Sequence, residues 1–287
     1  AKLLHHNFSV PEAFVVSAEA YRAFLKQNDL LSSIRSQLSK VTVDDIHSID
    51  YASRYIHDEI LSHDIPQEIV VEIMQQYKHI NADLVAVRSS VFTEDVHALP
   101  WTGKLDTFLR IPSTDIVETI KKCWASLYRA DSLYHLLSRN EDPEQISMSV
   151  IVQRMVDSQA SGICYSTHPV TEDQNQLVIE AGIGLGNPSE KRVFTPDTYV
   201  VQKDPLEILE KNIHKQEVAI APNDGEGTTI VDLNKEEAEE PSLSDEEILE
   251  LSKLVTKMQK DFKSPVVIEW VLSGKFYFVQ ARETGEH

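Results

Sequence analysis

The chain has 287 residues, of which 46 are acidic and 27 are Lys or Arg, so its formal net charge at pH 7 is −19. With 41% hydrophobic and 25% charged residues, it has the composition of a globular protein that can bury a core without disulfide or metal staples. The acidic balance argues against binding to nucleic acid, whose phosphates would repel it, and no apolar run approaches the roughly 18 residues of a membrane span.

The first half of the chain has mainly helical periodicity, with breaks near Asn28 and Pro66. An apolar run that ends in a polar turn, at 84–90, is typical of a buried strand. The predicted elements of this half are an extended segment at 10–16, helices within 18–77 and at 115–137, and strands at 84–90 and 107–111.

From residue 147 the pattern changes to short β-type runs separated by Gly, Pro and Asx turns. These runs are at 148–156, 161–165, 176–181 and 198–202. We place a boundary in the polar segment before them, and expect a helix-rich lobe at 1–145 and a sheet-rich lobe at 146–287. This organisation predicts an α+β fold.

The acidic residues are concentrated in one segment, 232–250, which contains nine of them and one lysine. Ser244 and Glu247 have the spacing of a capping box, and apolar residues then recur on one helical face. We interpret the segment as a solvated linker and the start of a helix rather than as a binding surface.

The C-terminal segment predicts a β-hairpin, with strands at 265–272 and 275–282 joined by a two-residue turn at Ser273 and Gly274. In this register Glu269 pairs with Phe278. Alternation then places six side chains on one face of the hairpin. They are Val267, Glu269, Phe276, Phe278, Gln280 and Arg282.

Glu269 and Gln280 are diagonal neighbours in this register, close enough for both side chains to reach one cation. A carboxylate and an amide oxygen suit a hard cation such as Mg²⁺, with a bound phosphate completing its coordination. Arg282, on the same face, could grip that phosphate. The alternative is an open sheet face on which these residues are solvated polar positions.

Neither common glycine-rich phosphate loop is present, since Gly103 lacks the Walker spacing and Asn187 stands where a Rossmann fingerprint needs its third glycine. An ordered set of motifs nevertheless covers almost the whole chain. They are Val-Arg-Ser-Ser at 87–90, Thr-Gly-Lys-Leu at 102–105, Gln-Arg-Met-Val at 153–156, Ser-Gly-Ile at 161–163, Thr-Pro-Asp at 195–197, Ile-Glu-Trp at 268–270 and Gln-Ala-Arg at 280–282. Together they resemble the N-terminal ATP-grasp, nucleotide-binding domain of phosphoenolpyruvate synthase, pyruvate phosphate dikinase and rifampin phosphotransferase.

The resemblance implies an ATP-grasp fold of two lobes with a nucleotide cleft between them, and ATP with Mg²⁺, or Mn²⁺ in its place, as cofactors. Arg88 and Arg282 match the catalytic arginines at the phosphates, and Glu269 and Gln280 match the metal ligands. The implied nucleotide-binding residues are Arg88, Gly103, Thr107, Gln153, Met155, Val156, Glu269, Gln280 and Arg282.

Two of these assignments have structural alternatives. Arg88 could instead form a salt bridge to Glu94 or Asp95, and Met155 and Val156 could belong to the core as well as to an adenine pocket.

The sequence also departs from the family pattern. The family's Gly-Gly-Lys turn, whose lysine touches the phosphates, would precede Ala1, and because the first residue is not Met we expect the chain to begin inside a longer one. Val267 stands where the family usually has an acid. Without that lysine and that acid, the chain would bind metal and phosphate more weakly.

None of the eleven histidines has the sequence context of the family's phosphohistidine. We interpret His168 as a turn residue rather than a nucleophile, because no base can be assigned to it. The resemblance therefore implies a swivelling phosphohistidine domain as partner, in cis or in trans.

The function implied is that of an Mg-ATP-binding phosphotransferase domain that starts phosphoryl transfer from ATP to that histidine, with a pyruvate, phosphoenolpyruvate or rifampin type of second substrate. The alternative is a nucleotide-sensing module of the same fold with weakened or lost catalysis. The two cysteines have no disulfide or metal-site spacing, which favours a reducing cytoplasm. We expect neither a nucleic-acid nor a membrane partner.

Overall fold

The computed structural model describes residues 2–92, 106–138, 146–185, 195–223 and 227–284. Helices and antiparallel sheets in these ranges confirm the predicted α+β fold. The residues group into two compact units, which we call the N-unit (Glu12–Met155) and the C-unit (Ala1–Pro11 with Val156–His287). The lobe boundary between 145 and 146 and the cleft between lobes stay predictions.

The first half of the described chain is mainly helical, and most of the strands follow it. The helices are Lys2–His5 (α1), Ala18–Gln27 (α2), Leu30–Leu38 (α3), Ile46–Ser62 (α4), Gln67–Ile80 (α5), Ile116–Ser126 (α6), Ala130–Ser138 (α7), Lys235–Glu239 (α8) and Asp245–Phe262 (α9). The strands are Ala13–Val16 (β1), Leu84–Phe92 (β2), Thr107–Pro112 (β3), Ser147–Arg154 (β4), Ala160–Tyr165 (β5), Gln176–Ile183 (β6), Asp197–Gln202 (β7), Glu207–Asn212 (β8), Val218–Pro222 (β9), Thr228–Asp232 (β10), Val266–Leu272 (β11) and Phe276–Glu283 (β12).

The predicted helix breaks near Asn28 and Pro66 are present in the structure. Helix α2 ends at Gln27, and Asp29 has a φ of +52°, which ends the helical path. Helix α4 ends at Ser62, four residues before Pro66. The single helix predicted at 115–137 is two helices, α6 and α7, because the chain turns after Ser126.

The N-unit contains a four-stranded antiparallel sheet in the order β1-β4-β2-β3. Val87 of β2 and Val152 of β4 are fully buried in the same apolar cluster as Trp124 of α6. The Trp124 ring lies 5.1 Å from that of Phe24 on α2, centroid to centroid. Because side chains alternate along a strand, the neighbours of these valines face away from the helices.

The C-unit contains a six-stranded antiparallel sheet in the order β12-β11-β5-β6-β7-β8, and a separate β9-β10 pair. Helix α9 packs its apolar stripe on one face of the large sheet, with Ile248, Leu251 and Met258 fully buried. The predicted capping box of Ser244 and Glu247 is present at its start. Strands β8, β9 and β10 were not predicted from the sequence.

A buried aspartate anchors the acidic segment to the sheet of the C-unit. The Oδ1 atom of Asp197 accepts the His214 N–H at 2.9 Å, and its Oδ2 atom accepts the Ser242 N–H and hydroxyl, both at 2.8 Å. The Tyr199 hydroxyl donates to the same Oδ2 at 3.2 Å. These four hydrogen bonds compensate for the desolvation of the buried Asp197 carboxylate. The Thr-Pro-Asp motif therefore has a structural role.

Gly162 lies on β5 between β6 and β11, where the sheet leaves no room for a side chain. A Cβ atom at this position would lie 1.9 Å from the Glu180 carbonyl oxygen and 3.0 Å from Cζ2 of Trp270. The Ser-Gly-Ile motif therefore keeps a glycine here for close packing.

We expect Gly162→Ala to lower the free energy of unfolding by about 3 kcal/mol, because the strands around it must move apart. Gly227→Ala is the control: its Cβ meets nothing within 4 Å, and its φ of +73° costs about 1 kcal/mol. Urea unfolding followed by circular dichroism measures both, and equal losses would contradict the packing argument.

Candidate functional site

The C-terminal hairpin has a different register from the one predicted. Glu269 lies opposite Gln280, and Trp270 lies opposite Phe278, so the predicted pairing of Glu269 with Phe278 is wrong. The strands are joined by three residues, 273–275, rather than two, with Gly274 at a φ of +65°. One extra residue, Val279, forms a bulge on β12.

The bulge also corrects the predicted face of the hairpin. Phe276 and Phe278 are buried in the core with Trp270, whose ring lies 5.6 Å from that of Phe276, so they do not share a face with Glu269. Beyond Val279 the alternation resumes in the opposite phase. The hairpin can therefore bury two aromatic rings and still present Gln280 beside Glu269.

Glu269, Gln280 and Arg282 form a connected polar set on the face away from α9. With its amide oriented by its hydrogen bonds, Gln280 donates to Glu269 Oε1 at 3.2 Å and accepts from Arg282 Nε and Nη2 at 2.8 and 2.9 Å. Arg282 Nη2 lies 3.8 Å from Glu269 Oε1. The Glu269 side chain is only 13% exposed, whereas that of Arg282 is 42% exposed. The structure thus brings together the three predicted residues of this hairpin.

The donor set fits the predicted cation once the Gln280 amide is turned, because here its NH₂ group rather than its oxygen faces Glu269. A carboxylate and an amide oxygen in direct register are hard ligands, and Mg²⁺ in proteins commonly takes one or two such groups together with waters and substrate phosphates. Within the described ranges, no three His, Cys, Asp or Glu side chains cluster as a metal site. A cation held here would therefore need further oxygen atoms from a bound ligand.

Glu180 lies in the same row of this sheet face and was missed by the sequence analysis. Glu180 pairs with Ile163, which pairs with Glu269, so two strand spacings, about 10 Å, separate the two glutamate Cα atoms. Burial raises the pKa of Glu180 above its ordinary value. In the sequence, Glu180 could be recognised only as a single carboxylate within the apolar run of β6.

The N-unit places three predicted residues on the sheet face opposite its helices. Arg88 on β2 pairs with Thr107 on β3 and with Ile151 on β4, and Gln153 follows two positions later on β4. Gln153 is 4% exposed, which is unusual for an amide side chain, and Thr107 is exposed. An arginine, a hydroxyl and an amide thus share one face of the sheet.

The chain leaves β4 at the predicted adenine-binding residues. The Met155 N–H donates to the Leu84 carbonyl oxygen at 3.1 Å, so it is already engaged. The Val156 N–H makes no backbone hydrogen bond to any residue in the described ranges. Both side chains are partly buried, and neither belongs to the fully buried core of its unit.

Some predicted positions lie outside the described residues. They are Gly103, and Glu94 and Asp95 of the alternative salt bridge to Arg88.

His168 is a turn residue, as interpreted from the sequence. Its Nδ1 atom accepts the N–H groups of Val170 and Thr171, both at 3.2 Å. This ring nitrogen stabilises the local backbone and is not available to attack a phosphoryl group.

The fold and its two polar sheet faces define an α+β domain suited to an anionic ligand bound with a cation. Comparison with known proteins identifies the family: the chain belongs to that of the pyruvate phosphate dikinase, AMP/ATP-binding domain, whose model matches residues 1–287. The resemblance found in the ordered motifs is therefore confirmed. Of the helices described here, none has both the length and the apolar character needed to cross a membrane.

Curated relatives match the chain over nearly its whole length. It is 33% identical over 281 residues to a probable phosphoenolpyruvate synthase of Methanocaldococcus jannaschii, covering 95% of this chain and 24% of the relative. It is 34% identical over 279 residues to the rifampicin phosphotransferase of Bacillus subtilis, covering 96% and 32%. The phosphoenolpyruvate synthase of Pyrococcus furiosus is 32% identical over 329 residues, covering 98% and 40%. The chain thus spans between a quarter and two fifths of the length of these relatives.

Glu180→Gln is expected to stabilise the chain at pH 7.5, because it removes a half-buried negative charge and keeps the side-chain shape. Since the folded-state pKa of Glu180 is raised, wild type regains stability as the pH falls through that value towards 4.5. The difference in melting temperature between Glu180→Gln and wild type should therefore be smaller at pH 4 than at pH 7.5. Thermal unfolding at both pH values measures it, with the exposed Glu210→Gln as control. A variant less stable than wild type at pH 7.5 would contradict the expectation.

Proposed function

We propose that this chain binds Mg-ATP and starts the transfer of a phosphoryl group from ATP to a histidine on a separate domain. The observation that carries the proposal is the direct register of Glu269 with Gln280 and the contact of Gln280 with Arg282, in a chain of the AMP/ATP-binding domain family. We further propose that the fold is of the ATP-grasp type and that both units contact one nucleotide.

The C-unit would hold the cation and the phosphates. Glu269 and Gln280 would bind Mg²⁺, or Mn²⁺ in its place, which supplies positive charge to the phosphate oxygens when bound. Arg282 contacts Gln280 and lies 3.8 Å from Glu269. With Glu269 and Gln280 holding the cation, the Arg282 guanidinium would contact the transferred phosphoryl group.

Val267 bears on the strength of this site. It pairs with Arg282 on the same sheet face, and it stands where the family usually has an acid. An apolar residue at this place removes a competing carboxylate from Arg282, which leaves its charge for the phosphates. It also removes one oxygen ligand, so the cation would be held more weakly.

The N-unit would contact the phosphates and the base. Arg88 and Thr107, paired on neighbouring strands, would bind phosphate oxygens, together with the backbone at Gly103. Gln153 and the Val156 N–H would read the edge of adenine, and the Met155 and Val156 side chains would pack against its face. Because the Met155 N–H is engaged by Leu84, the Val156 N–H is the better backbone donor.

The acceptor of the phosphoryl group would be a swivelling phosphohistidine domain, in cis or in trans. The relatives of this chain are longer than it is, and they include phosphoenolpyruvate synthases and a rifampicin phosphotransferase. We therefore propose a second substrate of the pyruvate, phosphoenolpyruvate or rifampicin type. No general base is required of this chain if the acceptor is a neutral imidazole.

We propose a cytoplasmic location. Cys123 and Cys164 are both buried and free, and burial raises the pKa of the Cys123 thiol to about 12. Thiols that persist unpaired in this way suit a reducing compartment.

Glu269→Gln should weaken Mg-ATP binding about 10-fold, because it removes a carboxylate ligand of the cation, and should change metal-free ATP binding much less. Isothermal titration calorimetry with and without Mg²⁺ measures both affinities. Arg88→Met should weaken binding under both conditions. Arg22→Met, on the exposed surface of α2, is the matched control. Unchanged affinity in both site variants would contradict the proposed site.

A second candidate function is a nucleotide-sensing module without catalysis, and Val267 is the observation that favours it. The two functions differ when a histidine-domain partner and Mg-ATP are supplied together. Release of AMP or ADP with phosphorylation of the partner supports the phosphotransferase. Binding of Mg-ATP without either product supports the sensing module.

A further inference from the structure

A polar cavity lies in the C-unit, outside the candidate site. Its volume is about 820 Å³, and it is formed by the β5-β6 loop, the turn after β7 and the C-terminal end of α9. The residues relevant to its chemistry are Gln174, Lys203, Asp204, Gln259, Lys260 and Lys263. None of them belongs to the proposed nucleotide site. The volume is within the range of small-molecule sites.

The cavity is positively charged in a strongly acidic chain. Lys203, Lys260 and Lys263 line it against a single acid, Asp204, whereas the whole chain has a net charge of −19. Within the described part of the chain, none of these three lysines forms an ion pair. Field lines from like charges focus in such a concave site, which attracts anions from solution.

Lys203 distinguishes the cavity from a group of surface lysines. Its Nζ atom donates to Gln259 Oε1 at 2.7 Å and to the Gln174 carbonyl oxygen, both of which are neutral acceptors. Burial lowers the pKa of Lys203, and Lys260 acts in the same direction while Asp173 and Cys164 oppose it. A half-buried ammonium group held by neutral acceptors therefore gains from an anion beside it.

The C-terminal end of helix α9 explains two of the three lysines. Lys260 is in its last turn and Lys263 caps it with a φ of +57°, and cations at a helix C-terminus offset the partial negative charge there. Lys203 follows β7 and has no such role. Three positive charges from two elements thus converge on one space.

We propose that this cavity binds a small phosphate monoester through Lys203, Lys260 and Lys263. Three lysines outnumber the acids that face them, Asp204 in the lining and Asp173 near Lys203, so the site keeps a net positive charge that suits the phosphate group of a monoester. The cavity is a second ligand site on the chain, and it is independent of nucleotide binding at Glu269.

The test is an NMR titration of the ¹⁵N-labelled 287-residue chain with glycerol 2-phosphate, with NaCl at equal ionic strength as the reference. Saturable shifts are expected at the amides of Asn175, Asp204 and Ser264, which border the cavity. Lys203→Met should weaken the affinity about 10-fold. Lys263→Asn should do likewise, and Asn tolerates the positive φ at this exposed position.

Lys253→Gln is the matched control, because Lys253 is on the same helix and exposed but does not line the cavity. Its affinity for the probe should equal that of wild type. Shifts that grow linearly with ionic strength, equal affinity in all variants, or a response to polyglutamate but not to the phosphate monoester would overturn the proposal. The readout is local to the cavity, so it is unaffected if Mg-ATP fails to bind at Glu269.

Discussion

The polar face of each unit depends on the alternation of side chains in an antiparallel sheet. Each sheet buries one face under helices, and each strand must then present its other side chains on the opposite face. In the N-unit this constraint puts Arg88, Thr107 and Gln153 on one face because Val87 and Val152 are buried on the other. In the C-unit it places Glu269 on one face of the sheet because its neighbours Ile268 and Trp270 are buried on the other face. The packing of the core therefore selects which polar groups are available to a ligand.

The bulge at Val279 is a local departure from alternation, and the proposed cation site relies on it. Without the extra residue, the phase that buries Phe276 and Phe278 would also turn Gln280 towards the core. With it, Gln280 reaches Glu269 and Arg282 while both rings remain packed around Trp270. A structural irregularity thus reconciles a well-packed hairpin with a polar face, as bulges near functional sites commonly do.

Much of this arrangement could be predicted from the sequence, and the errors have physical causes. Periodicity and capping residues predicted α9, and turn residues predicted the breaks around α2 and α4. The hairpin register was wrong because a two-residue and a three-residue turn fit the same Ser-Gly-Lys sequence, and alternation alone does not reveal a bulge. Glu180 was missed because its relation to Glu269 runs across strands that are distant in the sequence. The Ser-Gly-Ile motif includes Gly162, but the sequence does not show why a glycine is needed there. The close packing of β5 between its neighbouring strands explains it.

The most direct test of the proposed site is a crystal structure of the chain with Mg²⁺ and a non-hydrolysable ATP analogue. We expect a cation bound by the Glu269 carboxylate and the Gln280 amide oxygen, with phosphate oxygens within hydrogen-bond distance of Arg282 and Arg88. We also expect the adenine edge at Gln153 and the Val156 N–H. A nucleotide bound elsewhere on the chain, or a cation that contacts neither Glu269 nor Gln280, would contradict the proposed site.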